Sequence, residues 1–591
     1  MGISAMFYLC LLALVAPVWS KTVFYELKLT WEKYSPDGHE RDMILINGQF
    51  PGPRLEADQG DEVHVLVTNN MPFDTSVHFH GIEQYRTLWS DGTPGVTQRP
   101  IHAGQQFLYK WVATEYGSYW YHAHSRGQID DGLFGPLLIR PNTLRGLPFA
   151  SLSSNSIDSR KLSRAYEDSK AMIVGDWTHE PSHEVWDVAQ ASGVDMICPD
   201  SILINGKGWV KCPTPEELAD PGPLAPILGN QTLTDKGCLP PDNVLGQGDY
   251  PHDYDKLPDK YFYICEDTEG SQEVIEVSSS QGWLSLDWIS HAGMDALSLS
   301  VDEHPQIVYA VDGRFIQPYE VHALVIDPGA RYSVMIKLDK PAGRKYSIRV
   351  TNKGANQVLG TTAILSYIGE PDDTPSQPYT DRFGYLVSED LIEFNEALAI
   401  PDPPVVPGTN VNQTFIFDVG RWNASFLWTV NGIARFPDLD WAEDQEPLLF
   451  DPSNAFDLNV TITTYNDTWV DMVFRANPIQ PPHPIHKHSN KVFILGHGEG
   501  PFPYSTVAEA IAAEPENFNL ETPLLRDTWI PPPAVTGPTW IAVRYHVVNP
   551  GASFLHCHIN PHLAGGMALA ILDGVDAWPE VPPEYLNGNG M

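Results

Sequence analysis

Two short segments at opposite ends of the chain share one pattern, Gly117-Ser-Tyr-Trp-Tyr-His-Ala-His124 and Gly551-Ala-Ser-Phe-Leu-His-Cys-His558. A third, Gly343-Arg-Lys-Tyr-Ser-Ile-Arg-Val350, has the same strand character without histidine. A second echo runs beside the first: Ile46-Asn-Gly48, Ile204-Asn-Gly206 and Val430-Asn-Gly432 each sit near the start of a third of the chain. Repetition at this spacing means three related β units, and 591 residues is about three or four times the usual domain size. Short alternating runs bounded by Gly, Pro, Asn or Asp read as strands: Thr22 to Thr30, Glu62 to Val67, Phe107 to Trp111, Tyr119 to His122, Val334 to Leu338, Tyr346 to Thr351 and Ala542 to Val547. Helical periodicity is weak except near Tyr504 to Glu514. The expected fold is therefore all-β, in units 21–150, 151–375 and 376–591, with boundaries near 145–165 and 370–385. The Pro/Asp/Thr-rich stretch from Glu370 to Thr380 reads as the second linker.

The first twenty residues look like a secretory leader. Phe7 to Val15 is an apolar run too short to span a bilayer, and Val18-Trp-Ser20 offers small residues for cleavage after Ser20. Five N-x-S/T sequons, at Asn230, Asn412, Asn423, Asn459 and Asn466, suit a glycosylated secreted or cell-wall protein. With 75 acidic against 36 basic side chains the formal charge is −39, which disfavours nucleic acid and anionic membranes as partners. No second apolar stretch reaches membrane length, so no membrane anchor is expected. Once Cys10 leaves with the leader, Cys198, Cys212, Cys238, Cys265 and Cys557 remain. The first four lie in one window and can pair among themselves; Cys557 stands alone between two histidines.

Ten of the 21 histidines fall into four groups: His78-Phe-His80, His122-Ala-His124, His483-Pro-Ile-His486-Lys-His488, and His556-Cys-His558 with His562. Residues i and i+2 of a strand project from one face roughly 6.5–7 Å apart, so an H-x-H pair aims two imidazoles at one place. Four such groups would be a poor filling for β-sandwich cores unless they hold metal. The other histidines, such as His39, His252 and His304, need no special role. In a strand, Cys557 points to one face and its two neighbours to the other. The thiolate then binds one metal while the imidazoles bind others behind the strand, with a short covalent path between them. A thiolate, imidazoles from His483 and His562, and a weak thioether from Met567 form a blue-copper ligand set.

At these residues the sequence resembles the three-domain multicopper oxidases of the fungal laccase and ascorbate oxidase group. The motifs that carry the resemblance are HFHG (78–81), YHAH (121–124), HPIHKH (483–488) and HCHINPHLAGGM (556–567). The resemblance implies three cupredoxin-like Greek-key sandwiches and four coppers per chain. Type 1 copper would sit on His483, Cys557 and His562 with Met567 axial, and type 2 on His78 and His486. The type 3 pair would use His80, His122, His124, His488, His556 and His558, with the trinuclear cluster between the first and third domains. Asp91, in Trp89-Ser-Asp-Gly92, matches a position that relays protons and tunes the trinuclear site. Asp200, before Ser201-Ile-Leu-Ile-Asn-Gly206, aligns with the carboxylate that accepts the phenol proton in many laccases.

Cys198 and Cys212 match a disulfide of plant ascorbate oxidases, with Cys238 and Cys265 as the companion pair. The cysteine that joins domains 1 and 3 in those enzymes has no counterpart, because Thr97-Gln-Arg99-Pro100 occupies its region. The chain ends in Asn-Gly-Asn-Gly-Met rather than the Asp-Ser-Gly-Leu tail of many ascomycete laccases. The resemblance thus leans to ascomycete laccase-like enzymes of pigment and polyketide pathways. They oxidise phenols by single electrons and reduce O2 to water. Rivals are an ascorbate oxidase, a metal-oxidising enzyme with acidic residues around His483 and His562, and a copper-binding electron carrier. The carrier would need only the type 1 site, and the six type 3 histidines argue against it.

Overall fold

The computed structural model describes residues 20–142, 146–437, 444–455, 458–478, 481–534 and 537–591. The leader expected over 1–20 lies, apart from Ser20, outside the described residues. The strands assemble into six sheets, paired as three sandwiches, and no sheet mixes strands from different sandwiches among the described residues. The first sandwich packs Arg41–Ile46, Thr22–Tyr34, Glu62–Asn69 and Gln106–Val112 on Leu55–Asp58, Phe134–Arg140, Gly117–Ala123 and Val77–His80. The second and third each stack a six-stranded sheet on a five-stranded one. All the strands expected from alternation are present, several of them extended by a residue or more.

The repeat is visible in the pairing. In each sandwich an early strand lies parallel to a later one: Thr22–Tyr34 with Glu62–Asn69, Lys170–Trp177 with Trp283–Ser290, and Val411–Arg421 with Trp469–Ala476. The echoed Asn-Gly pairs also recur as turns. Asn47 and Gly48 (φ 55° and 73°) and Asn205 and Gly206 (φ 52° and 72°) adopt the left-handed backbone that a two-residue hairpin turn needs. At the third echo only Gly432 is left-handed, and the Asn431 side chain instead accepts the Ile433 and Ala434 N–H groups.

The histidine strands occupy equivalent positions in the sheets of two sandwiches. His78 on Val77–His80 lies opposite His122 on Gly117–Ala123, and His486 on Ile485–Lys487 lies opposite His556 on Gly551–Cys557. Their equivalent in the second sandwich, Lys345–Asn352, has no histidine. Both histidine strands are buried throughout, because one face meets its own core and the other faces the neighbouring sandwich. The apolar cores of the first and third sandwiches are continuous, while the second has a core of its own.

Helices lie outside the sandwiches. Val507–Ala513 falls where periodicity places one. Two longer helices, Ser156–Glu167 and Ser182–Ser192, were not expected from the sequence. The first buries only Leu162, Ala165 and Tyr166, a stripe too narrow to register as periodicity; Asn155 caps it by accepting the Ile157 N–H. No helix among the described residues is long and apolar enough to cross a membrane.

A buried ion network ties the three sandwiches together. Arg331 of the second donates through both terminal nitrogens to Asp527 of the third, at 2.5 and 2.7 Å, and Lys491 donates to the same carboxylate. His80 of the first sandwich stands 3.3 Å from Asp527. Behind this pair, Asp312 accepts from the Arg331 N–H at 3.0 Å and from Arg526 at 2.9 Å. Burial would raise the Asp527 carboxyl, but the charges of Arg331 and Lys491 hold it well below the usual carboxylate range.

The disulfides correct the sequence reading. The bonds are Cys198–Cys238 and Cys212–Cys265, not Cys198–Cys212 with Cys238–Cys265. The strand Ser201–Ile204 and its turn separate Cys198 from Cys212 and carry the chain to a different neighbour. There Val210 and Cys212 donate their N–H groups to Thr268 and Asp267, which sets Cys212 beside Cys265. Gln357 meanwhile donates to the carbonyls of Pro199 and Lys236, holding Cys198 next to Cys238.

Two outcomes follow from these contacts. Non-reducing peptide mapping is expected to recover Cys198–Cys238 and Cys212–Cys265 cross-links; a Cys198–Cys212 fragment contradicts the arrangement. Asp527→Ala strands two buried cations and is expected to cost about 3–5 kcal/mol, read as a lower urea midpoint; an unchanged midpoint refutes the network's structural role.

Candidate metal centre

Three side chains converge where the strand Gly551–Cys557 meets the helix Asn560–Ala564. The Cys557 Sγ lies 3.8 Å from His483 Nδ1 and 3.7 Å from His562 Nδ1, and the two ring nitrogens are 3.2 Å apart. Backbone bonds fold the segment back on itself: Cys557 N–H donates to the Met567 carbonyl and Met567 N–H to that of His562, both at 3.0 Å. Met567 is thereby fully buried beside Cys557 in one apolar cluster. The Trp428 ring packs 4.0 Å from His562 and 4.9 Å from His483. Cys557 is the only free cysteine among the described residues. Burial pushes its thiol pKa up and the two imidazole pKa values down. A metal ion held there would displace the thiol proton.

The eight other clustered histidines fill one cavity between the first and third sandwiches. Their ring nitrogens gather in overlapping triads: His78, His80 and His486; His80, His122 and His558; His124, His488 and His556. Within each triad the atoms lie within 4.8 Å of one another. Nδ1 of His78, His122, His486 and His556 lies 2.6–2.8 Å from the backbone oxygens of Asp91, Ala123, Asp527 and Cys557. That anchoring turns Nε2, the other nitrogen, inward with its lone pair free. His80 is reversed, with Nε2 on Thr528 and Asp527 and Nδ1 turned 3.3 Å from His122.

Asp91 lies against two of these histidines, His488 and His78. One carboxylate oxygen is 2.9 Å from His488 Nδ1 and accepts the Thr93 hydroxyl at 3.0 Å. Gly92, at φ +93°, turns the chain there because a Cβ would lie 2.1 Å from the Val77 carbonyl. Burial opposes ionisation of Asp91, but His488 and His78 hold its carboxyl well below the usual range.

Burial drives the imidazoles toward the neutral form that a metal requires. It lowers His80, His122, His124, His486 and His556 well below the ordinary histidine range, His488 to about 4 and His558 to about 3. The buried Nε2 atoms of His78, His483, His486 and His562, and both nitrogens of His558, have no protein hydrogen-bond partner. Unpaired buried nitrogens are costly and thiolate with imidazole suits copper, so the donor set fits copper ions. The second sandwich closes this cavity at Gly329, where a Cβ would come within 2.7 Å of His558 and 3.0 Å of His80.

A pocket of about 60 Å³ opens beside His562, lined by Trp186, Phe426, Met294, Asp195 and others. Asp195 Oδ2 is 3.7 Å from His562 Nε2, and neither carboxylate oxygen of this buried residue has a hydrogen-bond partner. Asp200 does not face His562. Lys236 takes its carboxylate at 2.6 Å and the His179 N–H at 2.8 Å. The carboxylate at the histidine is the one five residues earlier in the same loop. Among the sequon asparagines, Asn230, Asn412, Asn423 and Asn459 are exposed and Asn466 is half-buried.

Family models described as multicopper oxidase match residues 28–143, 168–370 and 437–577. Laccase abr2 of Aspergillus fumigatus is 44% identical over 579 residues, covering 97% of both chains. Multicopper oxidase GIP1 of Gibberella zeae is 40% identical, covering 97% of this chain and 86% of its own. Among solved structures, the laccase from Botrytis aclada superposes with a TM-score of 0.69 at 25% identity, over 95% of this chain and 89% of that one. Fet3p, a multicopper oxidase that functions in iron import, gives 0.68 at 19% identity over 96% and 94%, a likeness of fold. The chain belongs to the multicopper oxidase family, as a three-domain, laccase-like copper oxidoreductase that carries one type 1, one type 2 and two type 3 coppers and uses O2.

Proposed function

We propose that this is a secreted oxidase of phenolic donors, acting in the coupling of phenols to pigments or other secondary metabolites. The observation that carries the donor class is the Asp195 carboxylate beside His562, which accepts no hydrogen bond and has the Arg421 guanidinium 4.0 Å away, in a pocket walled by Trp186, Phe426 and Met294. A phenol needs a flat apolar seat, a route to a type 1 ligand, and a base for its hydroxyl proton; Trp186, Phe426 and Met294 offer the apolar walls, and Asp195, 3.7 Å from His562, offers the base. Asp195 accepts that proton as the electron leaves. In this reading His483, Cys557 and His562, with the Met567 thioether, would hold the type 1 copper. His78 and His486 hold type 2. His80, His122 and His558 hold one type 3 copper, and His124, His488 and His556 the other. Copper bound by these residues would supply the redox chemistry: single-electron oxidation of the donor coupled to four-electron reduction of O2 to two waters. Asp91 fixes His488 through its side chain and His78 through its carbonyl.

A second reading, oxidation of a reduced metal ion, draws on the acidic lining of the same pocket: Asp130, Asp176, Glu180 and Asp195. Against it, Asp176 is already occupied by the N–H groups of Gly293, Met294 and Asp295.

Cys557→Ser is expected to abolish the intense blue band and turnover while circular dichroism shows an intact β fold; a blue, active variant overturns the ligand assignment. Asp195→Asn is expected to lower kcat/KM for phenols by about 100-fold, and to lower it far less for ferrocyanide, which releases no proton. Equal losses with both donors would remove Asp195 as the proton acceptor.

A further inference from the structure

A second cavity, of about 20 Å³ and large enough for one water, lies against His122, His124, His556 and His558. It and the pocket beside His562 share four wall residues: Arg126, Gly127, Asn560 and Ala564. Asn560 stands between His558 and His562 in the chain, and its side-chain amide donates to Asp130 Oδ1 at 2.6 Å. Asp130 therefore sits on the donor-pocket side of a wall whose other side faces the trinuclear histidines.

The surroundings of Asp130 favour a carboxyl that keeps its proton. Burial is the largest cause; next comes the charge of Asp176, with Asp131 adding to it, while the Asn560 bond and the Arg41 charge pull the other way. The balance raises Asp130 to about 8. Arg41 is engaged by Asp131, so it does not pair with the Asp130 carboxylate. Asp295, beside Asp176, is raised as well.

We propose that Asp130, aimed by Asn560, stores a proton at the wall between the donor pocket and the trinuclear cavity and passes it to the O2-reducing side. The inference rests on reading the pocket beside His562 as the donor's seat. Four phenols oxidised there release four electrons and four protons, and O2 consumes the same numbers to form two waters. Asp130 gives its O–H proton to a water at the shared wall, and that water carries it into the cavity beside His556 and His558. The carboxylate left behind takes a proton from the pocket side, so the residue returns to its starting state without changing oxidation level. Asn560 is the positioning residue: its N–H occupies Oδ1 and leaves Oδ2 as the oxygen that exchanges the proton.

The test uses the full-length, copper-loaded enzyme, reduced without air by ferrocyanide and then mixed with O2 in H2O and in D2O. In Asp130→Asn the return of the blue band is expected to slow by roughly 100-fold, the lower end of the range for a positioned acid–base group. The solvent isotope effect is expected to grow, and Asp130→Glu to restore most of the rate. Asn560→Leu, which leaves the acid in place but unaimed, is expected to slow the return less. In the copper-free chain, infrared carbonyl absorption of protonated carboxyls is expected near neutral pH, with Asp295 contributing to it, and should lose one component in Asp130→Asn. An unchanged reoxidation rate and isotope effect in Asp130→Asn, or no loss of that component, overturns the proposal. A wild-type enzyme bleached by Fe(II) and not by phenols overturns the donor reading instead, while the reoxidation comparison still decides Asp130.

Discussion

The Asp527 carboxylate is the point on which the three sandwiches depend. It accepts from Arg331 of the second and Lys491 of the third, and it lies against His80 of the first. An isolated charge buried this deeply costs several kcal/mol; here Arg331 with Asp527, and Arg526 with Asp312, are ion pairs whose two members come from different sandwiches. The network therefore sets relative position more than net stability. One turn away, the Asp527 backbone carbonyl bonds His486. A single residue thus aligns histidines from two sandwiches, while its partner Arg331 brings Gly329 of the second against the same cavity.

Around that anchor, orientation is achieved almost wholly by the backbone. Carbonyls of Asp91, Ala123, Asp527 and Cys557 hold imidazole rings by one nitrogen, and strand pairing decides where the other points. Such a cavity is a poor core without its ions, since burial leaves several nitrogens unpaired. The ions remove that penalty, so their binding and the close packing of the first and third sandwiches reinforce one another.

Legibility in the sequence followed locality. Strands and H-x-H pairs are written in two-residue periods, and the Asn-Gly echoes name their own turns, so the repeat and all ten clustered histidines could be read directly. What depended on the path of a loop could not. Asp195 and Asp200 share a loop, and only its folding decides which carboxylate meets His562. The cysteine pairing hinged on side-chain bonds from Gln357 and to Asp267 and Thr268, far away in sequence. Arg331 and Asp527 are 196 residues apart and belong to no motif. Gly329 looks like any turn glycine until its neighbours are known. The helix Ser156–Glu167 escaped because three buried side chains in twelve leave too faint a period.

The two halves of the centre differ in how they are held. His483, Cys557 and His562 all belong to the third sandwich, whereas every triad of the larger cavity draws on both the first and the third. Mechanical slippage between sandwiches therefore acts on only one half. It would separate the groups that handle O2 and leave those that meet the donor whole. Such a molecule would keep its colour after it had ceased to consume oxygen.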